Sequence, residues 1–324
     1  MISNRRLKKI LSITIPLLIG GLFIIFAYNK FTTQQIQEIG SYLKNADYLY
    51  IYISILFSFI ASFLRSYRWK YPLEHLGYKV SLKNRFLAVN VSYLMNMFIP
   101  RSGEVSRSLV LKNYDNVPFD KSFGTIIAER IVDLFCLGIL MCLVFFMQFD
   151  IVKKFILDYI PKDKIILFAI VAFAVFICVF LIYKYSKWRF ISFLKFKLSG
   201  FREGISSLIQ MKKKWRFIFQ TILIWIFFLL MFWIAVFAFP ETATLNAEAI
   251  ITTFVVGSIA IAFTNNGLGS YPFLVAEILL FYNITLTVGS AFGWIVWITQ
   301  TLFTISLGLI SLLILPLVNK NTQH

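Results

Sequence analysis

Along the chain, long apolar runs alternate with short polar and mostly basic connections. Six runs are long enough to cross a hydrocarbon core roughly 30 Å thick as helices. They fall at about 10–28, 48–64, 122–149, 165–183, 217–239 and 285–315. Two more, 86–99 and 249–263, hold 14 and 15 residues. At roughly 1.5 Å per residue these reach only about 21–23 Å. Each ends in a helix breaker. The first runs into Ile99-Pro100-Arg101-Ser102-Gly103-Glu104, and the second into Asn265-Asn266-Gly267-Leu268-Gly269-Ser270-Tyr271-Pro272 and a further short apolar run to about Tyr282. The pattern predicts an all-α polytopic membrane protein forming a single integral domain over 1–324. It has about six full transmembrane helices plus two re-entrant or broken helices, 86–112 in the first half (1–149) and 249–282 in the second (217–324).

Charge tests this reading, because calling a segment spanning or re-entrant flips the side of every later loop. With both short segments re-entrant, 25 of the 32 Lys and Arg fall in segments 1–9, 65–85, 100–121, 184–216 and the tail, all on one side. If 86–99 crossed fully, segment 184–216, with ten basic residues against Glu203 alone, would face outward and violate the positive-inside rule. The expectation is therefore a multi-pass protein of the cytoplasmic (inner) membrane, N-terminus and C-terminus inside. The apolar stretch after Arg5, Arg6, Lys8 and Lys9 is read as a retained first helix, since no small-x-small cleavage site follows it. The two broken elements then enter from opposite sides, one per half, as in an inverted-topology repeat. Segment 184–216, with periodic Phe, Leu and Ile, reads as a cytoplasmic amphipathic connector on anionic headgroups.

Composition narrows the function. The chain is 59% hydrophobic and 15% charged, with mean hydropathy +0.78 and net charge +17. A soluble enzyme, a nucleic-acid binder and a disordered scaffold are excluded, and the positive charge speaks of orientation and anionic lipid. Cys136, Cys142 and Cys178 lie in apolar runs, and the only histidines are His75 and His324. No disulfide framework, metal site or cofactor is expected. No P-loop, nucleophile elbow or His-based acid/base pair is present either, so transport would run on gradients or downhill.

Three constellations remain. Glu129, Arg130 and Asp133 interrupt the run 122–149. A lone charge at a helix centre costs about 2.5–3.5 kcal/mol, so the three demand partners, and Arg130 can reach Asp133 at a spacing of three. The cluster is either a packing salt bridge or part of a polar substrate cavity. Second, Asn96-x-x-x-Pro100-Arg101-Ser102-Gly103-Glu104-x-x-Arg107 breaks a helix at Pro100 and Gly103, and Ser102 or Gly103 can cap the next one. Free N–H groups beside Arg101 and Arg107 would cradle phosphate, with Glu104 orienting the arginines or meeting a cationic substituent; a plain loop with snorkelling arginines is the other reading. Third, Asn265, Asn266, Gly267 and Gly269 make a break in which the glycines permit positive φ, followed by a Ser270 cap, Pro272 in the first turn and Glu277 at apolar depth. An ordinary turn between short helices is its alternative. Arg65-Ser66-Tyr67-Arg68-Trp69-Lys70 reads as interfacial anchoring.

Taken in this order, Arg65-x-x-Arg68-Trp69, Asn96-x-x-x-Pro100-x-x-Gly103-Glu104-x-x-Arg107, Glu129-Arg130-x-x-Asp133 and Gly267-x-Gly269 with Glu277 resemble the flippase-like membrane domain of lysylphosphatidylglycerol synthases, from end to end of the chain. The resemblance implies a bundle with two re-entrant elements that translocates a lipid from inner to outer leaflet. Carried over, its polar site comprises Arg101, Glu104, Arg107, Glu129, Arg130, Asp133 and Glu277. The chain departs from the family pattern in having Asn265 and Asn266 where a proline precedes the glycines. No soluble aminoacyl-transferase domain follows within the sequence, so lipid synthesis is not assigned to it.

The leading expectation is thus a translocase for an anionic or modified phospholipid or a related polar lipid, with membrane lipids, a separate lipid synthase and a homo-oligomeric copy as partners and no nucleic acid. A membrane-embedded lipid-modifying transferase and a non-transporting anchor for a lipid synthase are the alternatives.

Overall fold

The computed structural model describes Gly21, Ile25 and residues 31–149 and 210–320 apart from residue 265. These form ten α-helices and one short 3-10 turn, with no strand among the described residues. In chain order the helices are α1 (Thr33–Asn45), α2 (Tyr48–Arg68), α3 (Lys70–His75), α4 (Leu82–Phe98), α5 (Ser102–Asp115), α6 (Phe119–Met147), α7 (Lys214–Val236), α8 (Ala247–Phe263), α9 (Ser270–Leu280) and α10 (Leu286–Val318). The expected spans at 48–64, 122–149, 217–239 and 285–315 become helices long and apolar enough to cross a membrane. The spans expected at 10–28, apart from Gly21 and Ile25, and at 165–183, and the connector up to residue 209, lie outside the described residues.

Local chemistry sets the ends. Thr32 and Gln35 form a reciprocal capping box on α1, and Asp47 caps α2 by accepting from the Leu49 N–H. Ser81 accepts from the Asn84 N–H, so α4 starts four residues before its apolar run and gains a polar first turn. The long helices present Leu134, Phe146, Leu309 and Leu313 outward, while Ser, Asn, Arg and Glu side chains are buried. An apolar solvent reverses the usual distribution: packing and hydrogen bonds hold the helices together, and small residues set how close they come.

Both short elements fold back on themselves. Asn84 donates to Asp115 at one end of α4 and α5, and Asn96 accepts from the Gly103 N–H at the other, so this pair is an antiparallel hairpin. The turn 264–269 returns α9 against α8 in the same way, with Tyr271 packed on Gly257. Helix α2 lies antiparallel to α7, joined at one end by the Asp47 N–H on the Ala238 carbonyl and at the other by Arg68 and Thr221. The element order is then helix, hairpin, long helix (α2, α4–α5, α6), and again helix, hairpin, long helix (α7, α8–α9, α10).

Every member of the second set runs opposite to its counterpart in the first. Helix α4 packs antiparallel on α10, through Asn84 with Asn319 and Leu94 with Gly308, and α8 packs on α6 in the counterpart contact, fastened by Gln148 donating to Glu248. A Cβ at Gly308 would sit 2.5 Å from the Leu94 Cβ and 3.0 Å from the Asn90 carbonyl. Gly308→Ala is therefore expected to destabilise the fold by about 1–3 kcal/mol, read as a lower unfolding temperature in detergent. An unchanged temperature would show that α4 and α10 can separate freely.

Candidate functional site

The last turn of α2 delivers Arg65 and Arg68 to one face of α6, and both are buried. Arg68 is fully buried; its Nη1 donates to Asp133 Oδ1 and to Thr221 Oγ1, each at 2.9 Å, and its Nε stands 3.5 Å from Glu129 Oε1. Arg65 pairs through Nη2 with Asp133 and donates from Nη1 to the Tyr93 hydroxyl at 2.9 Å. From α5, Arg107 reaches the other oxygen of Glu129 at 2.9 Å, and its guanidinium centre lies 3.6 Å from the centre of the Trp69 ring. Trp69 is itself fixed by donating to Thr125 Oγ1 on α6. Three arginines and two carboxylates thus bind α2, α5 and α6 into one unit, a planar-fork arrangement that lysine would not reproduce.

This corrects three expectations. Arg130 does not pair with Asp133: its Nε donates to Glu104 Oε1 at 3.1 Å, and its side chain is 39% exposed. The reason is angular. At roughly 100° per residue, Asp133 lies about 40° from Glu129 around α6 and Arg130 about 100°. The side chains of Glu129, Asp133 and Arg130 accordingly become 2%, 12% and 39% exposed in that order. Arg107, expected at an open phosphate mouth, is instead buried under Trp69. Arg65 and Arg68, read as interfacial anchors, are core members of the network.

The start of α5 also differs from expectation. Arg101 is the residue before the helix, in left-handed backbone (φ 63°), and Ser102 turns back to donate to the carbonyls of Met95 and Ile99. Ser102 therefore closes the end of α4 and leaves α5 uncapped. The Gly103 N–H is taken by Asn96 at 2.7 Å, and a side chain at Gly103 would strike the Ser92 carbonyl and Asn96, so this position permits glycine alone. The anion cradle imagined at the helix start is thus partly filled by the chain's own oxygens.

What stays open is a cavity of about 830 Å³ where the two hairpin tips approach each other. Pro100 and Arg101 line it from the first tip, and Thr264 and Asn266 from the second. Gly267 and Gly269 hold the positive φ their type permits (76° and 68°), and Asn266, for which it was not expected, does so too (54°). Helix α9 begins at Ser270 after Gly269, one residue earlier than a Ser270 cap would place it, with the Ser270 and Thr264 hydroxyls 2.8 Å apart. Arg65, Glu104, Arg130, Asp133 and Asn96 form the polar wall; Phe228, Phe254 and Phe303 are among the apolar lining. Arg101 is exposed to this space and has no carboxylate partner among the described residues.

Arg107, Glu129 and Glu277 do not line the cavity, and Asn265 lies outside the described residues. Glu277 is buried on α9. The residues that sequence reasoning missed, Arg65, Tyr93 and Asn90, carry a faint signal: Arg65 and Arg68 share one helix face, three apart, where an anchor needs no shared face. Among the described residues no group of His, Cys, Asp and Glu is placed to hold a metal ion.

The model of the family described as the lysylphosphatidylglycerol synthase TM region matches residues 13–315. A UPF0104 membrane protein of Methanocaldococcus jannaschii is 24% identical, the alignment covering 95% of this chain and 96% of that one. A second, from Methanothermobacter thermautotrophicus, is 26% identical over 138 residues, 41% of each chain. No solved structure matches.

Proposed function

This chain belongs to the lysylphosphatidylglycerol synthase transmembrane-region family, and we propose that it moves an anionic or modified phospholipid, or a related polar lipid, between membrane leaflets. The observation that supports this reading is the cavity between the hairpin tips. Its lining matches a lipid in kind, with guanidinium and amide groups for a phosphate-bearing headgroup and a phenylalanine wall for the first carbons of the chains. In this reading the two hairpins dip into the bilayer from opposite faces, and the buried arginine network holds α2, α5 and α6 rigid while the tips part. The membrane is the cytoplasmic one, with both termini inside, and a separate synthase supplies the lipid. Group transfer is disfavoured, because Glu129 faces the arginines outside the cavity and both oxygens of Asp133 are engaged by Arg65 and Arg68.

The test is reconstitution into liposomes with a panel of labelled lipids, reading leaflet exposure over time. Ser258 and Ala262 line the cavity from α8, and Ser258→Trp places an indole across it. This variant is expected to slow exchange of the recognised lipid several-fold with unchanged folded yield; full activity in it would remove the cavity from the pathway. Orientation has its own check. In a chain lacking the three native cysteines, Lys212→Cys is expected to resist an impermeant thiol reagent on intact cells and to react after permeabilisation. Ready labelling from outside would reverse the topology.

A further inference from the structure

We infer that the chain carries a second anion site, separate from the transport cavity, that binds a phosphate group at the foot of the first hairpin. It goes beyond the proposed function and stands or falls without it. The site is a pocket of about 230 Å³ lined by Lys70, Glu74, Lys79 and Arg85, with Leu73 and Tyr78 as its apolar side. This lies below the roughly 300–1,000 Å³ of pockets for drug-sized ligands, so it suits a headgroup-sized anion.

Arg85 is the decisive residue. It is 4% exposed, yet no carboxylate pairs with it among the described residues. Its Nη1 donates to the carbonyls of Ser66 and Tyr67, both at 3.0 Å, and its Nε is buried with no hydrogen-bond partner. Two neutral carbonyls orient a guanidinium without neutralising it, Glu74 and Asp115 act on it only through space, and a buried cation without a contact ion pair is costly. Arg65, Arg68 and Arg107, the buried arginines of the α2–α5–α6 network, each have a carboxylate; Arg85 has a pocket.

The neighbours add to the imbalance. Glu74, the one carboxylate there, is held by Lys213 at 2.8 Å and Lys70 at 3.4 Å. Lys79 is exposed at the pocket's rim and forms no ion pair among the described residues. Lys70, Lys79, Arg85 and Lys213 therefore surround the one carboxylate of the pocket, and the next, Asp115, lies outside its lining, held by Asn84. A phosphate group carries up to two negative charges and accepts hydrogen bonds in several directions, which fits the Arg85 guanidinium and two ammonium groups in one lining. Bound there, it would tie α3, the 76–81 turn and the first turn of α4 together, setting the base from which the hairpin projects. The phosphate group can come from a lipid headgroup or from a soluble anion.

The experiment is thermal unfolding of the full-length protein in an uncharged detergent and chloride buffer. One arm titrates inorganic phosphate, a second short-chain phosphatidic acid, and a third short-chain phosphatidylcholine as the zwitterionic comparison. Wild type is expected to unfold at a higher temperature with phosphate, phosphatidic acid or both, and the apparent phosphate affinity should weaken at least tenfold in Lys70→Ala/Lys79→Ala. A response to phosphatidic acid alone makes the source a membrane lipid, and a response to inorganic phosphate alone makes it a soluble anion. Arg85→Gln should lose the response while unfolding, without phosphate, no lower than wild type. The cavity variant Arg101→Gly should keep it, which separates this site from the first. No response in wild type to either probe, or an equal response in the double lysine variant, overturns the proposal.

Discussion

Glu129→Ala is expected to cost the folded protein about 3–5 kcal/mol, the largest stability loss of any single substitution in the site. Glu129 is 2% exposed and accepts from Arg107 while facing Arg68. Removing it leaves Arg68 with Asp133, but leaves Arg107 buried under Trp69 with no other carboxylate to pair with. The measure is monodisperse yield and unfolding temperature in detergent. Glu129→Gln, which keeps an oxygen acceptor at the same reach, should lose less. An alanine variant as stable as wild type would mean that Arg107 recruits water or a lipid oxygen in its place, and the network would no longer count as structural.

The largest functional loss is expected at Arg101. Arg101 lines the cavity without a carboxylate partner among the described residues, so in the proposed function Arg101→Glu replaces a cation by a group that repels phosphate. A hydrogen bond to a charged group contributes roughly 1.5–3 kcal/mol, so lipid exchange in liposomes should fall about 10-fold to 100-fold. Folding should hardly change. Arg101 occupies left-handed backbone, which costs a non-glycine residue roughly 1–2 kcal/mol, and Arg101→Gly should relieve that strain while still losing exchange. Wild-type exchange in both variants across all anionic lipids would take Arg101 out of the mechanism.

These two residues also mark where sequence reading succeeds and where it stops. Helix lengths, the two breaks and the positive φ at Gly267 and Gly269 were legible because each depends on local composition: run length, Pro and Gly. Arg101 was legible for the same reason, lying beside the break at Pro100. The pairing of charges was not. Spacing along α6 suggests Arg130 for Asp133, but the partners that win come from α2, 65 and 68 positions earlier. A basic pair beside a tryptophan at a helix end is also what any membrane interface collects, so the shared face of Arg65 and Arg68 is too faint a mark to tell burial from anchoring. The role of Ser102 was hidden likewise: a serine between two helices can serve either, and only the return of α5 onto α4 decides that its hydroxyl closes the first.

The antiparallel contact of α4 with α10 has a consequence for biosynthesis. Asn84, in the first turn of α4, exchanges amide hydrogen bonds with Asn319, 235 residues later and just past the end of α10. Leu94, further along α4, packs against Gly308 of α10. The first hairpin therefore leaves the ribosome with the face that meets α10 uncovered, its Asn84 amide held by Asp115 alone, and keeps it so until the last helix has been inserted. Assembly of the N-terminal half cannot finish in the order of translation, and during that interval the uncovered face of α4 is a surface that a membrane chaperone would protect.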